Sequence, residues 1–451
     1  MNTAPTRTLI VGSGAREHAL AWKLAGEPGM NTVYVAPGSA AINLEARVQS
    51  IAGVDSLDPD AVVSVARQVA AELVVIGPEA PLATGVVDAL RDAGVAVFGP
   101  TRAAARIESS KAFCHEVAAA AGVRMARARA FAAEERAAAG AYVAELGAAG
   151  NGVVLKQDGL AAGKGVVVYD TDELERALEH LATWLDPGHG AGPILVVEER
   201  LRGRDASVIA VSDGRAAVAL PASRDHKRLC DGDEGPNTGG MGAYSPLPDL
   251  PDELVREILR TVHEPILAEL ARRGTPFTGF LYAGLMLTDD GPVLLECNAR
   301  LGDPEAQVIL PRVAVAIGPV LAAAARGDVG AAPGTASGLL PAFPGAAVGI
   351  VLASQGYPGK PKVGRPIDGL DAAADEGALV FHGGTVARPG GGFGTNGGRV
   401  LTVVGRGPDL AGAREAAERA ADQISWDGLQ RRRDIAAELP TAPAEMAGVA
   451  S

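Results

Sequence analysis

Cysteine is scarce in this chain. Cys114, Cys230 and Cys297 are the only three in 451 residues, an odd number without zinc or framework spacing, which excludes a disulfide scaffold. A reducing cytosol fits, and a cytoplasmic location is expected. Long apolar runs are also missing: none approaches the roughly 18 residues a membrane span needs. The first strand, at 8–11, is only four residues long, too short for the core of a signal peptide. No membrane partner is expected. Basic residues are in deficit, with 41 Lys and Arg against 54 Asp and Glu and a net charge of −13. That balance argues against non-specific nucleic-acid binding, and Arg431-Arg-Arg433 is too short to be a nucleic-acid patch. Hydrophobic residues, by contrast, make up 47% of the chain, ample for several domain cores at this length.

The stretch 153–169 organises the rest. Two β-branched runs flank Gly159, Gly163, Lys164 and Gly165, so it reads as a hairpin with a glycine-rich tip. Glycines let backbone N–H groups approach an anion, Lys164 adds charge at the tip, and Lys156 on the incoming strand points into the same space. The P-loop pattern fails, because the glycine spacing is one short, Gly165 replaces Ser or Thr, and a strand follows instead of a helix. A lid over a triphosphate and an ordinary exposed turn are both consistent with these residues alone.

The chain opens with a strand at 8–11, the turn Gly12-Ser-Gly14-Ala-Arg16-Glu17-His and a helical pattern, which together make an anion site at a helix N-terminus. Glu17 stands where a dinucleotide fingerprint needs its third glycine. The second strand, 32–35, ends in Ala36-Pro37-Gly38 without the acid that would meet a ribose, so NAD is disfavoured. Arg16 instead points to a monophosphate held by guanidinium and amides; the alternative is a turn that merely begins a Rossmann-like layer. A third strand at 73–76 runs into Gly77-Pro-Glu79, and a fourth at 95–98 completes a βαβ series. The loops at Gly12, Pro37 and Gly77 are expected to share one crevice at the strands' C-terminal ends.

Further on, Lys111 sits on the first turn of a helix, where cations are disfavoured. Either a ligand phosphate explains it or it is a plain exposed lysine. An apolar strand at 193–197 ends in Glu198-Glu199, with Leu201 and Asp205 beyond. This end either offers backbone groups to an adenine, with Asp205 at the ribose, or is a solvated strand end. Residues 223–242 read as one long irregular stretch, the kind of loop that is usually functional or disordered, with disorder disfavoured because apolar strands and helices resume on both sides. Two strands at 282–287 and 293–297 are expected to be antiparallel, the second ending in Glu296-Cys-Asn298-Ala-Arg300-Leu-Gly-Asp303-Pro-Glu305. Period two puts Glu296 and Asn298 on one face, about 7 Å apart at Cα. That suits Mg²⁺ completed by phosphate and water, against a structural carboxylate–amide pair. Short strands with Gly/Pro turns and a helix at 409–424 follow, reading as a small α+β unit.

In this order the elements resemble the ATP-grasp superfamily, and within it the phosphoribosylamine–glycine ligase family. The resemblance covers about residues 7–437. It rests on the motifs at 12–19, 77–82, 158–165, 225–228, 236–246 and 279–286, of which the segment 225–246 is most diagnostic. It implies an α/β ATP-grasp fold with an N-terminal Rossmann-like domain (1–103), an ATP-grasp domain (104–330) with a hairpin lid subdomain at about 123–195, a small C-terminal α+β domain (331–437) and a disordered tail (438–451). It also implies ATP-dependent joining of glycine to 5-phosphoribosylamine through a glycyl phosphate, in purine biosynthesis.

By the same resemblance Glu296 and Asn298 hold Mg²⁺ or Mn²⁺, and Lys111, Lys156, Gly163, Lys164, Gly165, Glu198, Glu199, Leu201 and Asp205 serve ATP. Arg300 stabilises the transferring group, while Asp303 and Glu305 orient the amine. Gly12, Gly14, Arg16, Glu17, Pro37, Gly38, Gly77, Glu79, Asp225, Lys227, Asn237, Thr238, Gly239 and Gly240 serve the two small substrates. Asp205 stands where the family usually carries Glu, which implies a longer or water-mediated ribose contact. A monomer is expected. Of the rivals, another ATP-grasp ligase should lack 225–246, a nicotinamide oxidoreductase would rest on Gly12-x-Gly14 alone, and a non-catalytic ATP binder would not fill every ligand position.

Overall fold

The structure, a computed structural model, describes residues 4–160, 165–186 and 194–437. The expectations for Gly163, Lys164 and the tail at 438–451 lie outside the described residues.

The N-terminal apolar runs form one parallel sheet of five strands. Its order is Val48–Ser50, Thr32–Pro37, Arg7–Gly12, Leu73–Ile76 and Val97–Phe98. Leu9, Ile10 and Val11 are fully buried, as befits a strand covered on both faces. The strand Val48–Ser50 escaped the sequence reading because three residues with one buried side chain show no period. The order reverses between Arg7–Gly12 and Leu73–Ile76, so the Gly12 and Gly77 loops flank the switch point where such sheets bind ligands.

The lid is a separate antiparallel sheet, Ala128–Ala132, Ile194–Glu199, Val153–Gln157 and Val166–Tyr169. Helices Arg136–Ala148 and Leu174–Trp184 close over it around their own core of Phe131, Tyr142, Leu155 and Trp184. A third sheet pairs Ala217–Ala219, Arg204–Asp213, Thr278–Thr288 and Gly291–Asn298, all antiparallel.

The stretch 223–242 is not irregular throughout. Arg224–Asp225 and Gly242–Ser245 are strands that join Ala346–Ala353, Arg399–Gly407 and Leu379–His382 in one five-stranded sheet. Between them Arg228–Cys230 and Glu234–Asn237 make a two-stranded hairpin. Strands of two to four residues carrying Asn, Gly and Pro have no alternation to betray them; Gly242–Ser245 takes its conformation from Ala346–Ala353 far downstream, and Arg224–Asp225 pairs onto it in turn. Helix Leu410–Gln423 covers this sheet at close range. A Cβ added to Gly405 would fall 2.8 Å from Ala417 Cα, and one added to Gly407 would fall 2.6 Å from Gly412 C. Among the described residues no helix is long and apolar enough to cross a membrane.

Candidate active site

The lid sheet, the third sheet, the five-stranded sheet and the two-stranded hairpin all line one cleft of about 960 Å³, and helices that follow strands of the parallel sheet add Arg16 and Glu79. At its lid end, helix Lys111–Ala120 begins with Ser110 accepting from Phe113 N at 3.1 Å. Asp158, where the lid loop begins, accepts from Ser110 Oγ and Ala112 N, both at 3.1 Å, and Lys111 Nζ donates to Gly159 O at 2.8 Å. The helix start and the lid are thus stitched together. Burial, opposed by Glu296 and assisted by Lys156, lowers the Lys111 pKa.

Lys156 is 6% exposed. Its Nζ donates to Glu198 Oε2 at 2.8 Å and Leu295 O at 3.0 Å, while His115 Nε2 meets Glu198 Oε1 at 2.7 Å. Burial pushes Glu198 up, but Lys156 and His115 outweigh it and hold the carboxyl below its ordinary value. The Glu198 side chain therefore anchors a lysine, leaving backbone groups to face a ligand. The Glu199 carboxylate accepts from Arg127 N and Nε at 2.9 Å each and from Asn151 at 3.1 Å. Gly165, Leu201 and Asp205 also line the cleft, with Met125, Val154, Met286 and Leu295 supplying an apolar wall.

Across from the lid runs Gly291–Asn298. A bulge pairs Gly284 with Glu296 but Leu285 with Leu294, which inserts Leu295 and re-aims the strand end. Glu296 and Asn298 face the cleft. Cys297 is buried with its thiol hydrogen-bonded to Cys114, which, ahead of burial, drives its pKa well up. Lys227 Nζ stands 4.0 Å from Glu296. Burial raises Glu296, yet Lys227, Lys156, Lys111 and Arg300 together hold it below the ordinary carboxylate value.

Arg300 is bound by Glu79 at 3.1 Å and Glu108 at 2.9 Å and donates to Asn298 Oδ1 at 3.5 Å. Glu108, raised by burial, also accepts from Ala299 N at 2.7 Å. Arg16 is 7% exposed; it donates to Glu17 at 2.6 Å and Leu301 O at 3.1 Å. Glu17 in turn accepts from Gly14 N at 2.7 Å. Arg16 and Glu79 reach the cleft wall, whereas Gly12, Gly14, Glu17, Pro37, Gly38 and Gly77 stand behind it. The glycines there make room for Glu17: a Cβ at Gly12 would fall 2.6 Å from its Cγ, and one at Gly77 2.5 Å.

At the far end Asp303 is paired with Arg399 at 3.1 Å and accepts from Gln307 at 2.7 Å. Arg399 also donates to the carbonyls of Gly239 (2.5 Å) and Asp303, and Gly239 N donates to Tyr357 Oη at 2.9 Å. Glu305, 4% exposed, accepts from Tyr282 Oη at 2.9 Å. Asp225 is pushed up to about 7 by burial, with Lys227 opposing and Glu305, Asp205 and Glu296 adding to the rise. Lys227, Asn237 and Thr238 join this wall, while Gly240 packs behind it on Pro304.

The sequence reading missed Glu108, His115, Asp158, Tyr282, Tyr357 and Arg399. A signal existed for His115, which follows Lys111 by four residues and so shares its helix face. Arg399 follows the Thr395-Asn-Gly-Gly398 run, but nothing local ties it to Asp303.

Comparison with known families decides the frame. The N domain of phosphoribosylglycinamide synthetase matches residues 6–108, its ATP-grasp (A) domain 109–306 and its C domain 347–438. The chain belongs to the phosphoribosylglycinamide synthetase family. The phosphoribosylamine–glycine ligase of Streptomyces coelicolor is 47% identical over 441 residues, covering 97% of this chain and all of that one. That of Mycobacterium leprae is 45% identical, covering 95% and 97%. The crystal structure of the Thermotoga maritima phosphoribosylamine–glycine ligase superposes with a TM-score of 0.77 at 33% identity, covering 95% of this chain and all of that one. Biotin carboxylase from Campylobacter jejuni, at 16% identity and TM-score 0.67, covering 96% and 94%, shares the fold alone. The fold is thus the ATP-grasp α/β architecture with N, A and C domains. In phosphoribosylglycinamide synthetase terms, the cleft draws Arg16 and Glu79 from the N domain, the lid and Glu296 from the A domain, and Tyr357 and Arg399 from the C domain.

Proposed function

We propose that this chain is an ATP-dependent carbon–nitrogen ligase, joining glycine to 5-phosphoribosylamine to give glycinamide ribonucleotide, ADP and phosphate. The observation that carries this reading is the single cleft. In it Lys111, Lys156 and Arg300 face Glu296 and Asn298, with residues of the segment 225–239 along the same wall.

A carboxylate resists attack by an amine, so glycine must first be activated. Its oxygen takes the γ-phosphoryl group to give glycyl phosphate, and the sugar amine then displaces phosphate. Positioning and charge neutralisation are the protein's share. Lys156, locked by Glu198, and Lys111, locked by Gly159, hold cationic charge beside the phosphates. Arg300, whose pKa its acidic neighbours raise against the pull of burial, stays charged and stabilises the transferring group. Asp303 and Glu305, fixed by Arg399 and Tyr282, orient the incoming amine. Arg16, strapped to Glu17, whose carboxylate also accepts from the Gly14 amide, presents a guanidinium edge to the ribose 5-phosphate.

The donor set fits a hard divalent cation, for Glu296 and Asn298 offer oxygens and Glu296 is kept ionised. Among the described residues no three His, Cys, Asp or Glu side chains group into a metal cage, so phosphate and water would complete the shell. When bound, Mg²⁺ (or Mn²⁺ in its place) neutralises charge on the nucleotide phosphates. The unpaired cysteines fit a cytoplasmic enzyme.

The test is ADP release with Mg·ATP and glycine, with and without freshly made phosphoribosylamine. Sustained ADP release should need both substrates and should match glycinamide ribonucleotide formed. Turnover with a different carboxylate and none with glycine would overturn the reading.

A further inference from the structure

Nothing in the proposed reaction uses the Arg431-Arg-Arg433 run, yet its middle member is among the largest fully buried side chains, 2% exposed. A guanidinium keeps its charge, so it stays buried only where carboxylates and carbonyls take its donors. Arg432 Nε and NH2 both donate to the Asp434 carboxylate at 2.6 Å. NH1 turns the other way, to Asp233 Oδ1 at 2.5 Å and Arg228 O at 3.2 Å. Two more bonds follow the same path: Gly232 N donates to Asp434 Oδ2 at 2.8 Å, and Arg433 N donates to Asp231 Oδ1 at 2.7 Å. Residues 432–434 thereby grip the turn 231–233 from about 200 positions away.

That turn caps the hairpin of Arg228–Cys230 and Glu234–Asn237, whose strands are mostly exposed and whose register is broken by a bulge. An isolated two-stranded hairpin is marginal in water. It nevertheless supplies Arg228, Asp233 and Asn237 to the cleft wall. Asn237 Nδ2 donates to Val166 O of the lid at 3.4 Å. The strand then continues directly into Thr238 and Gly239, the latter held by Tyr357 and Arg399.

We propose that Arg432 is a positioning residue for the ligase reaction. With Asp233 and Asp434 it pins this hairpin so that Arg228 and Asn237 face the non-nucleotide substrates. This inference rests on the function proposed above. The nucleotide residues Glu198 and Glu199 belong to the lid sheet, a different sheet of the wall, so the effect should be selective.

Two variants test it. Arg432→Lys keeps a charge but loses the fork. Asp233→Asn removes only the charge of the hairpin's partner, from a side chain 70% exposed, and Asn accepts the left-handed backbone found there (φ 54°). Both should lower kcat/KM for phosphoribosylamine about ten-fold, with the KM for ATP within about two-fold. For Asp233→Asn the melting temperature should hold, while amide exchange accelerates within 228–237. Wild-type enzyme without turnover would sink the functional reading. Wild-type turnover with Asp233→Asn unchanged, or with both substrates' parameters falling alongside the melting temperature, would overturn the positioning role.

Discussion

Single side chains in this cleft are governed by how charges are held once water is gone. Glu296 has cations on several sides and its nearest, Lys227, at 4.0 Å; Glu198 is clamped by Lys156 and His115. The first is available to a ligand and the second is committed. Glu296→Ala should therefore weaken Mg²⁺ dependence and cut ADP formation by orders of magnitude, whereas Asn298→Asp, which keeps an oxygen, should retain measurable activity. Cys297→Ser alters a buried thiol that bonds Cys114 and should change stability more than turnover. An ADP assay against Mg²⁺ concentration separates the three. If Cys297→Ser were crippling and Glu296→Ala silent, the strand's facing would be wrong.

Histidines supply a pH signature at the same scale. Burial, reinforced by Arg432, lowers His226 to about 4, and burial with His18 nearby lowers His382 to about 3. The unfolded chain takes up these protons near 6.5 and the folded one does not. Stability is therefore lost as pH falls through the window from 6.5 to about 4 for His226. Histidine proton resonances followed by NMR should show His226 and His382 flat between about pH 8 and 5. A midpoint near 6.5 for either would contradict its burial.

Elements meet the cleft through turns whose shape depends on one buried group. The Gly12 turn and the Gly77 loop come from neighbouring parallel strands, and Glu17 fills the space between them while bonding Gly14 N and Arg16. Gly77→Ala would put a Cβ 2.5 Å from Glu17 Cγ. Glu17 must move, and Arg16 loses its strap. The expected result is a KM for phosphoribosylamine raised about ten-fold or more, with that for ATP within a few-fold. Equal losses for both substrates would mean that the N-terminal turn also supports the nucleotide.

The whole molecule is arranged so that the C-terminal sheet reaches back across the segment 224–245. Strands Arg224–Asp225 and Gly242–Ser245 pair into that sheet, and Arg399 binds Asp303 and the Gly239 carbonyl. Arg399→Gln leaves a mostly buried carboxylate without its cation, at a cost of up to about 3 kcal/mol. It should lower the urea midpoint and reduce turnover together. An unchanged midpoint with normal turnover would show that the apolar face of the sheet alone holds this end.

Much of the architecture could be read locally. The apolar runs at 8–11, 32–35 and 73–76, the hairpin around the glycine tip, and Glu296 and Asn298 on one strand face all follow from periodicity and turn chemistry, which act over a few residues. The site's ion pairs could not be read this way. Lys156 with Glu198, Arg300 with Glu79 and Glu108, Asp303 with Arg399 and Arg432 with Asp233 each join residues 42 to more than 200 positions apart. A charged side chain on its own strand or helix is equally content with water. Only the burial imposed when three domains close on one cleft makes each charge need a particular partner, and so decides which carboxylates stay free for a ligand.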